Sequence, residues 1–538
     1  MSDVKPYYVS VEDPGSKYEV LTELQAESGD APIPPRPVDV VDDHPGSDHL
    51  IEVLLTDQEA EELVHDLRIK QVELDPEIYL NIKKRHTGVR AGSYDCDPNS
   101  ILSKHKNYGL RRATTSTNDF TTGYTSTAPF NFNLDGTGVD IVVFDTGVDP
   151  RHPEFAVNAD GTGGTRVVDI DWTTYGFITS IPTGGFLGDC DGHGSNCASI
   201  AAGNTNGWAK GAKIYSMRIV GSGAATERDI TDNRVLGLVN EIKAWQTIRA
   251  WHNAKTADPA TGYKRPTIIT GSYGYSDSYS YGSLTNINYR GVNHSVSTTT
   301  GVYGTIGVPE NGSGDFGYRY TTVENEVTSC INAGIIVVCA AGNDSHKIDV
   351  PSGADYNNYC IMTDGAYNRP YHRGMTPGAT PGVICVGALD NVSTVYDAKA
   401  KFSCTGPRVD IFAPGVAIMG AYANASYYQP AVADPRSSAS TSTGATYYLN
   451  KISGTSQACP QVTGVVACLL QARPWMTATN VLNWLKGVSN KNLMNENAFS
   501  GRAYGGTGTY TNLASLQGAV NGMLYQAFNL PDPLTIRG

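Results

Sequence analysis

No stretch of this chain approaches the roughly 20 uninterrupted apolar residues of a membrane-spanning helix. Its opening, Met1-Ser2-Asp3-Val4-Lys5-Pro6-Tyr7-Tyr8, lacks the basic-then-apolar pattern of a secretory signal. The expectation is a soluble protein without a membrane partner, intracellular or virion-associated, with secretion by a non-standard route as the alternative. None of the 10 cysteines forms a CxxC pair, so zinc spacing is absent, and mostly reduced structural thiols are expected rather than a disulfide framework. The Asn-x-Ser sequons at Asn293, Asn311, Asn391 and Asn424 are read as chance for the same reason. Charged residues are only 17% of the 538, and no internal repeat is found. With 40% hydrophobic residues, 58 Gly and 28 Pro, the composition is loop-rich and globular, which excludes fibrous, collagen-like and disordered classes.

The net charge of −13 lies almost entirely at one end. Residues 1–80 hold 20 acidic against 5 basic residues, and the rest of the chain is close to neutral. Neither part carries the basic stripe of a nucleic-acid binder, and the acidic part would repel phosphate, so nucleic acid is not an expected partner.

Residues 1–80 read as a small α+β module. Strands are expected at Tyr7–Glu12, Leu50–Leu55 and Lys70–Leu74. Thr56 and Glu59 form a capping box, and Ala60, Leu63, Val64 and Leu67 follow at helical spacing as one apolar face. The Pro- and Asp-rich stretch 29–48 is expected as loop. Residues 81–106, with Lys83-Lys84-Arg85-His86, are either a solvated connector or a processing region. From residue 107 to 488, short β-rich runs alternate with helical patterns, which predicts a parallel sheet flanked by helices. Residues 489–538 are taken as a C-terminal extension of unassigned role.

In each of four segments, an apolar strand or a glycine-rich turn delivers one chemically capable side chain. Ile141–Phe144 runs into Asp145-Thr146-Gly147, although a strand ending in Asp-x-Gly also serves as a structural carboxylate. His193 lies between Gly192 and Gly194, a setting that permits a sharp turn and an accessible imidazole; a lone histidine is otherwise an ordinary packed residue. Ser456, in Ser453-Gly454-Thr455-Ser456, precedes a helical run over Val462–Leu470, with Pro460 expected in or near the first turn, where no amide partner is lost. A helix N-terminus favours negative charge developing beside the serine, and the plainer reading is an N-cap. Asn343 follows Ala340-Ala341-Gly342 after another apolar strand; its amide is a donor for an oxyanion or a turn residue.

Taken together, the order Asp, His, Asn, Ser resembles the subtilisin-like serine proteases, most closely the proteinase K branch. Further matching segments are His152-Pro153-Glu154-Phe155, Cys197 four residues beyond the histidine, and Asp410–Gly415. The resemblance covers roughly residues 107–485. It implies a subtilisin-like α/β fold in which Asp145, His193 and Ser456 form a catalytic triad and Asn343 donates to the oxyanion. It also implies substrate strands added along Ser272-Tyr273-Gly274 and Gly221-Ser222-Gly223. The acidic module, Leu55–Pro76 especially, is similar to the second half of an inhibitory propeptide, which makes the chain's own propeptide a partner beside protein or peptide substrate. Residues 275–321 are an apparent insertion at the pocket rim. Ser195-Asn196 and Gln457 depart from the usual Thr-His and Met. The short segment Ala201–Gly207 lacks the loop that carries a strong calcium site, so structural calcium is not predicted, nor is a transition-metal site or other cofactor. Cys197, Cys339 and Cys459 are expected near the site, as small buried fillers or reactive thiols. The expectation is a serine endopeptidase made as a self-inhibited zymogen; the alternative is a catalytically silent structural or virion-associated protein on the same fold.

Overall fold

The computed structural model describes residues 4–26, 34, 36–74, 83–86, 108–114, 134–176, 186–221, 238–259, 261–296, 313–363, 368–390, 397–422, 432–433, 446–491, 493–494 and 516–525. The N-terminal module is an antiparallel sheet of β1 (Lys5–Val11), β2 (Val40–Asp42), β3 (Leu50–Leu55) and β4 (Ile69–Leu74) in the order β2-β3-β1-β4. Alternation along β1 sends Tyr7, Val9 and Val11 to one face, where they pack with helices α1 (Lys17–Leu24) and α2 (Asp57–Leu63). Tyr8 and Leu50 take the other face and join the core of the main body.

The capping box on Thr56 forms as expected. The helix it opens is shorter than its periodicity predicts. It ends at Leu63, leaving Val64 50% and Leu67 96% exposed, so these two are not part of the apolar face. A second difference is α1, whose turns are rich in Glu and Thr and whose helicity is supported by burial of Val20 and Leu24. A third is β2, which lies inside the expected 29–48 loop because Asp39 and Val40 reach β3.

The main body is a ten-stranded sheet. Its parallel strands are β6 (Asp140–Asp145), β7 (Val167–Val168), β8 (Lys213–Arg218), β9 (Thr267–Gly271), β12 (Ile336–Ala340), β13 (Ile384–Asp390) and β14 (Ile411–Pro414). Strand β6 lies between β8 and β9, and β12 follows β9. Fully buried strands such as Ile336–Ala340 read as continuous apolar runs because helices cover both faces. One face carries α4 (His193–Ala202) and α7 (Thr455–Ala472); the other carries α5 (Glu241–Ala254) and α6 (Thr321–Asn332).

Two features lie outside the simple sheet. Strand β10 (Tyr273–Ser280) continues past the end of β9 and pairs with β11 (Ser313–Gly317) on one side and with β5 (Lys83–His86) on the other, so the described part of the 275–321 insertion is a β annex. The expected C-terminal extension is not separate: β15 (Asn490–Lys491) pairs with β16 (Gly522–Met523), which extends the main sheet beyond β14. The boundary at 488 therefore cuts through a sheet that only long-range pairing reveals.

Helix α3 (Tyr108–Thr114) opens the body and is fixed by a two-pronged ion pair, Arg112 Nε and Nη2 to the Asp397 carboxylate at 2.8 and 2.6 Å. Both side chains are buried, so removing one partner strands a charge. Arg112→Ala is expected to lower unfolding free energy by about 3–5 kcal/mol in urea titration; a loss under about 1 kcal/mol would show that the pair is not holding α3.

Candidate active site

The expected site residues converge at the carboxyl ends of neighbouring parallel strands, where open α/β sheets place their ligands. Asp145 ends β6, Gly221 follows β8, Ser272 follows β9 and Asn343 follows β12. Ser222 and Gly223 lie outside the described residues. His193 and Ser456 come from the first turns of α4 and α7.

The flanking glycines are explained by close approach of backbones. A Cβ on Gly194 would stand 2.0 Å from the Gly147 carbonyl oxygen, and one on Gly147, at φ +106°, would stand 1.9 Å from that of Gly188. Any side chain there would push the imidazole away from Asp145.

His193 Nδ1 lies 2.7 Å from Asp145 Oδ1, and both residues are buried. Burial opposes protonation of the imidazole, but the adjacent Asp145 carboxylate outweighs it and holds the His193 pKa well above the ordinary 6.5. Asp145 Oδ1 also accepts from its neighbour's Thr146 N–H at 2.8 Å.

The turn carrying His193 is organised by a residue that the sequence reading left unassigned. Asp189 accepts from the backbone N–H groups of Asp191, Gly192 and Ser195 at 2.8–3.0 Å and from the Thr146 hydroxyl at 2.8 Å. Burial pushes its pKa up to about 6, against the pull of those donors. The signal was its place four residues before the histidine, in the same glycine-rich segment.

Ser456 is the second residue of α7, which begins at Thr455. Pro460 is thus inside the helix rather than in its first turn, and contrary to expectation it does forfeit an amide bond, the one to the Ser456 carbonyl. That oxygen accepts instead from the Ser272 hydroxyl at 2.9 Å and the Cys197 thiol at 3.4 Å. In return the Ser456 hydroxyl donates to the Ser272 carbonyl at 3.2 Å. Asn343 Oδ1 accepts from the Thr455 N–H and hydroxyl, both at 2.9 Å, which orients the Nδ2 end of the amide as donor beside the helix start.

The two departures flagged in the sequence meet: Gln457 Nε2 donates to Asn196 Oδ1 at 3.3 Å, and both are buried. Cys197, Cys339 and Cys459 are all fully buried, and burial raises each thiol's pKa, that of Cys459 to about 12, as befits packed fillers. All nine cysteines among the described residues are unpaired.

A family model described as the subtilase family matches residues 136–518. The chain belongs to the subtilase family. It is similar to a subtilisin-like serine protease of Cochliobolus lunatus, at 26% identity over 340 residues, 63% of this chain and 45% of that protein. An extracellular serine proteinase of Thermus sp. (strain Rt41A) is 26% identical over 447 residues, 82% of this chain and 72% of the relative. The solved structure of fervidolysin from Fervidobacterium pennivorans, a keratinolytic enzyme, matches at TM-score 0.49 and 17% identity, over all of this chain and 62% of that one. The chain spans about half the length of the first curated relatives it matches, 42–46% for three fungal ones.

The Asp145–His193 pair of this subtilase has a defined pH signature. A raised folded-state pKa adds stability in full below the unfolded value near 6.5, and that contribution is lost as pH rises through the folded midpoint. Asp145→Asn should move the His193 midpoint downward in imidazole NMR titration and remove this part of the pH dependence of stability. An unchanged midpoint would show that Asp145 is not its cause.

Proposed function

We propose that the chain is a serine endopeptidase that hydrolyses protein or peptide substrates and is made as a self-inhibited zymogen. The observation that carries this reading is the buried Asp145–His193 pair at 2.7 Å, set against a helix start that presents Ser456. Ser456 Oγ attacks the peptide carbonyl carbon while His193 Nε2 takes its proton and later returns it to the leaving amine. Asp145, on Nδ1, fixes the tautomer and stabilises the imidazolium. The tetrahedral oxyanion accepts from the Ser456 N–H and Asn343 Nδ2; removing such a side-chain donor costs about 10²–10³ in kcat.

The zymogen part is supported by two contacts of the N-terminal segment. Strand β5 runs antiparallel to β10, with His86 opposite Tyr273 and Arg85 opposite Gly274, so a segment of the chain itself covers the edge along which a substrate strand would add. The sheet of the module also packs on α5 and α6 through polar contacts: Lys243 to Asp42 at 2.5 Å, and Glu73 accepting from the Thr322 N–H and hydroxyl at 3.0 and 2.8 Å. The processing bond is proposed to lie in the connector, residues 81–106.

Wild type should lose an N-terminal fragment ending between about residues 80 and 106 and take up a fluorophosphonate probe, while Ser456→Ala does neither, by intact mass and labelling. A body that stays unlabelled after the module has been separated from it would overturn the peptidase reading.

Release of the module should depend on pH. Burial at the interface, with Glu324 as a like charge nearby, lifts the Glu73 pKa from the ordinary 4.5 to about 7. The docked module then holds a proton that the free one lacks, so docking weakens as pH rises between those values. Gel filtration of the cleaved protein should show the module retained at the acid end and lost towards neutrality. Glu73→Gln should flatten that dependence, which separates this group from His44 and His49 in the same interface.

A further inference from the structure

A peptide carbonyl attacked by Ser456 has its backbone beside Ser272 and its oxygen towards Asn343. On the peptidase reading, the side chain of that residue, the one before the scissile bond, would enter between the two backbone segments that flank this carbonyl, Ser272–Gly274 and Ala341–Asn343. Each presents a glycine to the space between them, which would make a deep slot if nothing else filled it. Met375 fills it. Its Sδ lies 2.0 Å from where a Cβ of Gly274 would stand, and its Cε 2.5 Å from where one of Gly342 would stand. The thioether thus occupies the volume that both glycines leave, and Met375 is only 4% exposed.

The backbone around Met375 leaves it little freedom to withdraw. The Tyr275 N–H donates to the Thr376 carbonyl at 3.0 Å and the Thr376 N–H to the Tyr318 carbonyl at 2.9 Å. The Thr376 hydroxyl donates to Glu324 at 2.6 Å, and the Met375 carbonyl accepts from Ala379 N–H at 2.8 Å. Tyr318 directly follows β11, so the annex pins the segment from one side while α6 pins it from the other.

We infer that Met375 is a specificity-determining residue that closes the pocket for the side chain before the scissile bond and restricts cleavage to sites after small residues: Gly, Ala, Ser and Thr. This rests on the peptidase reading above. A single methylene in such a pocket changes discrimination by about 10–200-fold. A thioether in place of open space therefore excludes Phe, Tyr and Leu strongly.

The test uses the full-length chain, incubated until a parallel aliquot takes up a fluorophosphonate at Ser456; the unlabelled remainder is then mixed with a peptide library from a denatured proteome. Cut positions are read by mass spectrometry. Cuts after Gly, Ala, Ser and Thr should exceed those after Phe, Tyr and Leu by at least about tenfold. Met375→Ala should raise cuts after Phe and Leu by about tenfold or more, with little change after Ala. Met375→Leu, of similar volume, should keep the small-residue preference. If Met375→Ala fails to fold, the wild-type profile and Met375→Leu still decide. A wild type whose parallel aliquot takes up the probe and which cuts after Phe or Leu as readily as after Ala would overturn the inference and leave the peptidase reading standing. Absence of both labelling and cutting would remove both.

Discussion

Pro460 has no amide hydrogen, so the carbonyl of Ser456 is left without its helical donor, and a buried carbonyl must be paired. The Ser272 hydroxyl and Cys197 thiol supply that pairing, and through them one oxygen ties together α7, the β9–β10 junction and α4. Ser456, the β9–β10 junction and the helix that carries His193 are thereby held in register by a defect in α7. The small residues around it follow from the same constraint, because only small or thiol side chains fit where the helices and strand ends approach this closely.

Around that point the charged groups are arranged in layers. Asp145 contacts the imidazole, while Asp189, one shell further out, contacts mainly backbone N–H groups and sets the turn. Their different partners give the two carboxylates different tasks: one stabilises a cation, the other replaces water for amides that burial has stripped of it. The meeting of Gln457 with Asn196 follows similar logic, since a polar side chain in a dry interior needs a partner: Gln457 Nε2 finds Asn196 Oδ1, and Asn196 Nδ2 in turn finds the Ala421 carbonyl. What looks in the sequence like two independent departures from the family pattern is one compensated pair.

The acidic module and the near-neutral body meet through both apolar and polar contacts. Tyr8 and Leu50 join the core formed by α5 and α6, and ion pairs such as Lys243–Asp42 surround that contact. Among the described residues, most of the module's acidic side chains form no ion pair with the body, so the charge asymmetry favours solubility and encounter more than docked affinity. The annex beside β10 also acts on the body: Tyr318, directly after β11, holds the Met375 segment in place.

By itself the sequence determined the family, the acidic module and the positions of Asp145, His193, Asn343 and Ser456, because each is encoded locally. A strand end, a pair of glycines required by backbone contact, or a helix start leaves its mark within a few residues of the group it presents. Features that depend on distant partners were misread or not read at all. Helix α1 and strand β2 gain their stability from neighbours elsewhere in the module, and Val64 and Leu67 fit a helical period yet face solvent because the helix stops at Leu63. Of the strands beyond 488, β16 joins the sheet by pairing with β14, more than 100 residues earlier, and β15 joins only through β16. Only the tertiary structure decided that Pro460 redirects a carbonyl, that Asn196 answers Gln457 and that Met375 stands between Gly274 and Gly342. These are contacts between residues far apart in the chain, set by packing in three dimensions rather than by local pattern.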